Sequence, residues 1–128
     1  MRSTTIFIVD DNAQFRALMR EITAQESAFQ VVGEAADGAE ALGQAQALQP
    51  DIVLLDLAMP RVSGLEALPR LKAACPETRV IVVTVHEEEA YRQAAAARGA
   101  DAFLLKKTLR TTLLPTLGGL RNALDGSA

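Results

Sequence analysis

The chain has 128 residues, enough for one domain with a single hydrophobic core, and no apolar run in it approaches the length of a membrane span. Hydrophobic residues make up 49% of the sequence and aromatic residues only 4%, which excludes a disordered chain and predicts an aliphatic core. A net charge of −3 argues against a nucleic-acid-binding surface. The single cysteine excludes an internal disulfide. Since no signal peptide is expected either, the sequence fits a protein of the reducing cytoplasm.

The first half of the chain predicts two strands, each followed by a helix. The apolar run 5–9 predicts a buried strand that ends in the carboxylates of Asp10 and Asp11, and an apolar stripe at helical spacing follows over residues 15–22. Residues 29–35 predict a shorter and weaker strand. An acidic residue and a glycine then begin a second helical pattern, which a proline ends before the third strand.

The third predicted strand, residues 51–56, is a continuous apolar run that ends in the carboxylate of Asp56. After a loop that contains a proline, Ser63 and Glu66 have the spacing of a capping box, which predicts a third helix. Pro69 would remove one hydrogen bond inside that helix. We therefore expect the helix either to begin one turn later or to kink at the proline.

The second half of the chain predicts two further strand and helix pairs. A run over residues 79–84 predicts a fourth strand that ends in the hydroxyl of Thr84. Tyr91 is the one large apolar residue of the alanine-rich helix that follows, so we expect the core to hold this helix loosely. Residues 102–105 predict a fifth strand that ends in Lys106, and a leucine stripe predicts a last helix that a proline and two glycines interrupt, so that it begins late or bends.

Five alternating strand and helix patterns predict an α/β domain, a parallel sheet with helices on both faces. The carboxyl ends of parallel strands share one edge, so the polar residues that end these strands can converge there: Asp10, Asp11, Asp56, Thr84 and Lys106. Three close carboxylates repel one another, and Mg²⁺, which prefers oxygen ligands, would relieve that repulsion. A carboxylate nucleophile, a metal, an ammonium group and a hydroxyl together suit an incoming phosphoryl group.

Each of these five residues also has an ordinary structural role. An acid after a strand can cap a helix or sit in a turn, a threonine suits a strand, and a lysine can be a solvated charge. It is much less probable that all five stand at the ends of successive strands by chance than that any one of them does. The arrangement therefore favours a functional site.

Five segments carry a more specific resemblance: 9–11, 56–60, 64–68, 83–84 and 103–106. In this order, over about residues 4–124, they resemble the receiver domain of bacterial two-component response regulators. The resemblance implies a single receiver domain over residues 1–128, with a flavodoxin-like (βα)5 sheet in the order 2-1-3-4-5. Segments 64–66 and 104–106 are most similar to the transcription regulators that carry a C-terminal helix-turn-helix, although we expect no output domain within this chain.

The resemblance also implies roles for the acidic residues. Asp56 would accept a phosphoryl group from a sensor histidine kinase. Asp11 and Asp56 would bind Mg²⁺ directly, together with the backbone carbonyl of Ala58, and Asp10 would act partly through water. The domain would not be an enzyme beyond slow self-phosphorylation from small donors and slow self-dephosphorylation.

Further roles concern the response to phosphorylation. Thr84 and Lys106 would contact the phosphoryl oxygens, and Phe103 would be the aromatic switch residue. The face formed by the fourth helix, fifth strand and fifth helix would change, and it or the face of the first and fifth helices would support a homodimer. The domain itself would contact neither nucleic acid nor membrane.

The sequence departs from the family at several positions. Lys107 stands where a proline usually follows the lysine, and Val85 stands where alanine usually follows the threonine. Ala58 offers no side chain that could steer water. Pro69 and Pro115 are atypical within their helices.

Three other functions compete with this interpretation. An aspartate-nucleophile phosphatase would end its first strand in an Asp-x-Asp pattern and carry a capping insert, whereas here the acids are adjacent and the insert is missing. A flavodoxin-like cofactor binder would need a loop rich in glycine, serine or threonine after the first strand, and residues 10–12 would repel a flavin phosphate. A degenerate receiver that only binds a partner would not need all five site residues.

Overall fold

Five apolar segments of the chain lie side by side as parallel strands, and a helix follows each of them. The computed structural model describes residues 2–125, with its elements in the order β1 (Thr4–Val9), α1 (Ala13–Thr23), β2 (Phe29–Ala35), α2 (Gly38–Leu48), β3 (Ile52–Leu55), α3 (Gly64–Ala74), β4 (Arg79–Thr84), α4 (Glu89–Ala97), β5 (Ala102–Leu105) and α5 (Leu109–Asp125). The strand order is β2-β1-β3-β4-β5, which confirms the predicted flavodoxin-like topology. Within the described range no helix has the length and apolar character needed to cross a membrane.

Two apolar layers cover the two faces of the sheet. Helices α1 and α5 cover one face through a fully buried set of side chains: Met19, Ile22, Leu109, Leu113 and Leu117. Helices α2, α3 and α4 cover the other face through a set that includes Ala41, Ala45, Ala67, Leu68, Leu71 and Ala95. The central strand β3 is fully buried from Ile52 to Leu55, as its continuous apolar run predicted.

Side-chain caps fix where the first three helices begin. Asn12 accepts hydrogen bonds from the first turn of α1, and Asp37 does the same for α2. Ser63 and Glu66 form the predicted capping box of α3, which therefore begins at Gly64. The expected later start of α3 is wrong, since the helix continues through Pro69. Burial of the helix against the sheet on both sides of the proline outweighs the one missing hydrogen bond.

The last two helices differ in how firmly the core holds them. Only Ala95 of α4 is buried, which agrees with the thin apolar stripe predicted for that helix. Helix α5 runs without a break from Leu109, through Pro115, to Asp125, so the predicted interruption and late start are wrong. Its leucine stripe, buried on the sheet face, outweighs the low helix propensity of the proline and the two glycines.

The start of α3 packs directly against the turn that follows β3. A Cβ atom added at Gly64 would lie 1.9 Å from the carbonyl oxygen of Asp56 and 2.7 Å from the Cα atom of Leu57. The Gly64 backbone N–H donates to the Leu57 carbonyl oxygen at 2.9 Å. This contact fixes the start of α3 against the turn that follows β3. Only glycine permits so close an approach of the two backbones.

The continuity of α5 predicts the effect of replacing its glycines. A Cβ atom at Gly118 or Gly119 would meet no atom within 4 Å, so alanine would fit at both positions. We expect Gly118→Ala and Gly119→Ala each to raise the free energy of unfolding by about 0.5–1 kcal/mol in urea titrations, because alanine favours the helix and restricts the unfolded chain. Gly64→Ala is the control and should lower stability. Unchanged stability in both α5 variants would contradict a continuous helix there.

Candidate functional site

Three carboxylates meet at the carboxyl edge of the sheet. Strand β1 delivers Asp10 and Asp11, and β3 delivers Asp56, whose backbone N–H donates to the Val9 carbonyl oxygen at 2.9 Å. Ligand oxygens of the three acids all lie within 4.8 Å of one another. The predicted convergence of these residues is therefore present in the structure, and it follows from the register of β1 and β3.

The three acids differ in their exposure to solvent. Asp10 is fully buried, Asp56 is 5% exposed and Asp11 is exposed. Burial, reinforced by the negative charge of Asp10, raises the pKa of Asp56 to about 6, against the opposing influence of Lys106 and of the Ala58 backbone N–H. Asp56 is therefore mostly ionised at neutral pH, and its buried negative charge lowers the stability of the folded protein.

Lys106 joins the acids from the end of β5. Its Nζ atom lies 2.7 Å from Asp10 Oδ2 and 3.7 Å from Asp56 Oδ2, and the side chain is almost completely buried. The ammonium group also lies 4.2 Å from the ring centroid of Phe15, a cation–π contact from α1. The sequence predicted Lys106 at this place, but it identified Phe15 only as part of an apolar helical stripe.

The two predicted switch residues lie on the α4 side of the sheet. Thr84, at the end of β4, is fully buried, and its hydroxyl oxygen accepts a hydrogen bond from the His86 backbone N–H at 3.2 Å. Phe103 stands opposite Val82 in the β4–β5 register, so its side chain is on the same face as Thr84 and one pleat behind it. Phe103 is half-buried, and the Arg92 guanidinium lies 4.6 Å from its ring centroid.

The rim of the site carries the departures noted in the sequence. Lys107, at the usual proline position, belongs to a short 3-10 turn and pairs with Glu87 at 2.7 Å. This ion pair connects the loop after β5 with the loop after β4. Val85 is 61% exposed at the same rim, and the His86 ring stacks on Tyr91 of α4 with a centroid distance of 4.3 Å.

The chemistry of the acidic cluster fits Mg²⁺. All of its candidate ligand atoms are oxygens, which this hard cation prefers, and the exposed Asp11 leaves room for retained waters. Asp10 Oδ2 is buried and, although Lys106 Nζ is close, it receives no aligned hydrogen bond from the described residues. A divalent cation would supply the missing positive charge. Asp10, Asp11 and Asp56 could therefore hold the metal.

Known proteins share this sequence pattern. Residues 6–117 match the response regulator receiver domain family. The chain is 36% identical to the transcriptional regulatory protein DegU of Brevibacillus brevis, over 80% of this chain and 43% of that protein. It is also 36% identical to the nitrate/nitrite response regulator protein NarL of Escherichia coli (strain K12), over 88% of this chain and 52% of that protein. The chain thus spans about half the length of these curated relatives.

Solved structures share the fold. The response regulator domain of Thermotoga maritima CheB superposes with a TM-score of 0.87 at 33% sequence identity, covering 97% of this chain and 98% of that one. The signal receiver domain of NarL from Mycobacterium tuberculosis gives a TM-score of 0.87 at 32% identity, covering 94% of this chain and 98% of that one. The sequence and structure comparisons therefore agree.

The raised pKa of Asp56 predicts that the charge of this residue destabilises the metal-free protein. The folded state binds a proton on Asp56 between about pH 4 and pH 6 that the unfolded chain has released, so wild-type stability falls as the pH rises through this window. We expect Asp56→Asn, which carries no charge, to be the more stable protein above pH 6, by up to about 3 kcal/mol in urea titrations with chelator present. Added Mg²⁺ should reduce the difference.

Asp51, at the other end of the same strand segment, provides the control with opposite sign. Although burial raises its pKa, hydrogen bonds from Arg2 and Thr5 prevail and hold that pKa below its usual range. Asp51→Asn should therefore lose stability relative to wild type above pH 4, and this loss should fade as the pH falls. If the advantage of Asp56→Asn stays constant between pH 4 and pH 7, the electrostatic account of Asp56 is wrong.

Proposed function

The chain belongs to the family of response regulator receiver domains, and from that premise we propose that Asp56 accepts a phosphoryl group from a sensor histidine kinase. The main support is the position of the Asp56 carboxylate, buried at the end of β3 beside Asp10, Asp11 and Lys106. Relatives such as NarL and DegU are named as regulators of transcription or of the nitrate and nitrite response. We therefore propose that this receiver also controls a transcriptional output.

The chemistry is an in-line displacement at phosphorus. A carboxylate oxygen of Asp56 forms the new P–O bond while the P–N bond to the kinase histidine breaks, and the histidine nitrogen leaves with the bonding electron pair. Asp11, Asp56 and the Ala58 carbonyl oxygen would hold Mg²⁺ directly and Asp10 partly through water, and the cation would supply positive charge to the phosphoryl oxygens. The carboxylate of Asp56 must be ionised to attack, and its pKa near 6 leaves it so at neutral pH.

Lys106 and Thr84 would bind the transferred group. Lys106 Nζ already lies 3.7 Å from Asp56 Oδ2, so a phosphoryl oxygen bonded at that carboxylate comes within reach of the ammonium group. The Thr84 hydroxyl accepts a bond from the His86 backbone N–H, which leaves its own proton free to donate to a phosphoryl oxygen. Both contacts would place positive charge or a donor where the phosphoryl dianion adds negative charge.

Movement of Thr84 would transmit the phosphorylation to α4. A rotation of this short side chain toward the phosphoryl group vacates space on the α4 face, and Phe103 can turn inward to fill it, because an unfilled void loses packing contacts. Helix α4 is the element best able to shift, since Ala95 is its only fully buried residue and Tyr91 is only partly buried against the core. The face formed by α4, β5 and α5 would then bind a partner or a second copy of the chain, with the α1–α5 face as the other candidate for the dimer.

Incubation with acetyl phosphate and Mg²⁺ tests the acceptor residue. The intact mass of the wild type should rise by one phosphoryl group, and Asp56→Asn should show no increase because it lacks the nucleophilic oxygen. Asp51→Asn should be labelled like wild type, since this acid lies at the opposite end of β3. Excess chelator should prevent labelling, and Asp11→Ala should weaken it strongly. Equal labelling of Asp56→Asn would refute the assignment.

Amide hydrogen exchange with and without a beryllofluoride mimic of the phosphoryl group tests the switch. We expect altered exchange to concentrate in residues 84–106 and α5, since Thr84, α4 and β5 would move together. Thr84→Ala should reduce these changes while Asp56 can still be labelled. Changes confined to α1, with residues 84–106 unaffected, would mean that the response follows another route.

A further inference from the structure

We propose that Arg16 is a positioning residue for the metal site, because its guanidinium holds the peptide that joins Asp10 to Asp11. The inference rests on the proposed binding of Mg²⁺ by these acids. Arg16 Nη1 donates a hydrogen bond of 2.7 Å to the carbonyl oxygen of Asp10. The side chain is 22% exposed, so most of it is buried between α1 and the end of β2.

The Asp10 carbonyl needs such a donor because the strand ladder ends beside it. The Asp10 N–H donates to the Ala35 carbonyl oxygen at 3.0 Å, which is the last bond between these strands. In a parallel ladder the Asp10 carbonyl would next accept from the backbone N–H of Asp37. The β1–β2 register stops at Val9 and Ala35, however, and Asp37 instead caps α2. Arg16 therefore takes the place of a backbone donor at the point where β1 becomes the acidic loop.

Arg16 is itself held in place from the β2 side. Its Nε atom lies 3.2 Å from Glu34 Oε1, so one planar guanidinium spans the Asp10 carbonyl and the Glu34 carboxylate. Arg20, one turn later on α1, also pairs with Glu34, at 2.6 Å, but it has no described bond to Asp10. The two arginines thus share an anion, and only Arg16 extends to the site.

This arrangement has a consequence for metal binding. The Asp10 side chain is fixed at one oxygen by the Asn12 backbone N–H, at 2.8 Å, and its main chain is fixed by Arg16. Without Arg16, the Asp10–Asp11 peptide could rotate, and the two ligands would have to be ordered when the cation binds. Groups that orient metal ligands commonly contribute 10–100-fold to metal affinity. Arg16 should therefore affect the affinity for Mg²⁺ rather than the chemistry on Asp56.

The test compares three variants by titrating Mg²⁺ and following the backbone amide resonances of residues 10–12. We expect Arg16→Ala to raise the Kd for Mg²⁺ by roughly tenfold. Arg16→Lys keeps the positive charge, but its single donor nitrogen cannot span the Asp10 carbonyl and Glu34 as the planar guanidinium does. This variant should give an intermediate Kd. Arg20→Ala is the matched control, because it removes a Glu34 ion pair from the same helix without touching Asp10, and its Kd should equal that of wild type.

Phosphorylation kinetics separate positioning from a general loss of structure. In Arg16→Ala the Mg²⁺ concentration for half-maximal labelling by acetyl phosphate should rise about tenfold, while the labelling rate at saturating Mg²⁺ stays that of wild type. If Arg16→Ala fails to fold, the role of Arg16 is tested by comparing the Kd for Mg²⁺ of Arg16→Lys with that of Arg20→Ala. Wild-type Mg²⁺ affinity in the Arg16 variants, or an equal loss in Arg20→Ala, would overturn the role of Arg16 alone. Failure of the wild type to bind Mg²⁺ would overturn the metal site as well.

Discussion

Repulsion between buried carboxylates is the constraint around which this domain is arranged. Asp10 and Asp56 are almost completely removed from water, and one buried ammonium group, that of Lys106, lies beside them. Burial raises the pKa of Asp56, and the negative charge of Asp10 raises it further, because the single positive charge of Lys106 does not balance the acids. The folded protein therefore has an excess of negative charge at one edge of its sheet. The proposed Mg²⁺ would bring positive charge to this edge, and the proposed phosphoryl group would be received beside the same ammonium group.

The rest of the fold keeps this unfavourable cluster in place. The β1–β3 register sets the acids side by side, and the contact of Gly64 with the Asp56 carbonyl sets the end of β3. The first turns of α1 supply Asn12 to the Asp10 side chain, and Phe15 to the lysine. Because packing on both sheet faces is extensive, the domain can tolerate strain at one edge.

Sequence patterns predicted the parts of this structure that depend on local periodicity. The apolar runs predicted all five strands, and the Ser63–Glu66 capping box predicted helix α3, although Pro69 left its first turn open at that point. The strand order needed the family resemblance, since alternation alone does not decide which strands are neighbours. The interruption predicted for α5 was wrong, because propensity at Pro115 is a local property while burial of the leucine stripe is a tertiary one.

In the candidate site, too, the sequence predicted only the placement that follows from the strand pattern. Residues at strand ends converge by topology, so the acids and Lys106 could be placed in advance. The contacts from α1 could not be, because whether Phe15 or its neighbour Arg16 meets the strand end depends on how the helix is rotated over the sheet. An arginine next to an aromatic residue on an amphipathic helix has no distinctive spacing.

The ion pair between Lys107 and Glu87 makes the rim of the site responsive to ionic strength. Both side chains are more than half exposed, so the pair is worth at most about 1 kcal/mol and dissolved salt screens it. A proline at this position would stiffen the backbone of the loop through its ring. Lys107 instead connects two loops through an ion pair, whose strength depends on the ionic strength of the solution. The freedom of the loop that follows Thr84 and carries Glu87 is thereby coupled to the salt content of the medium.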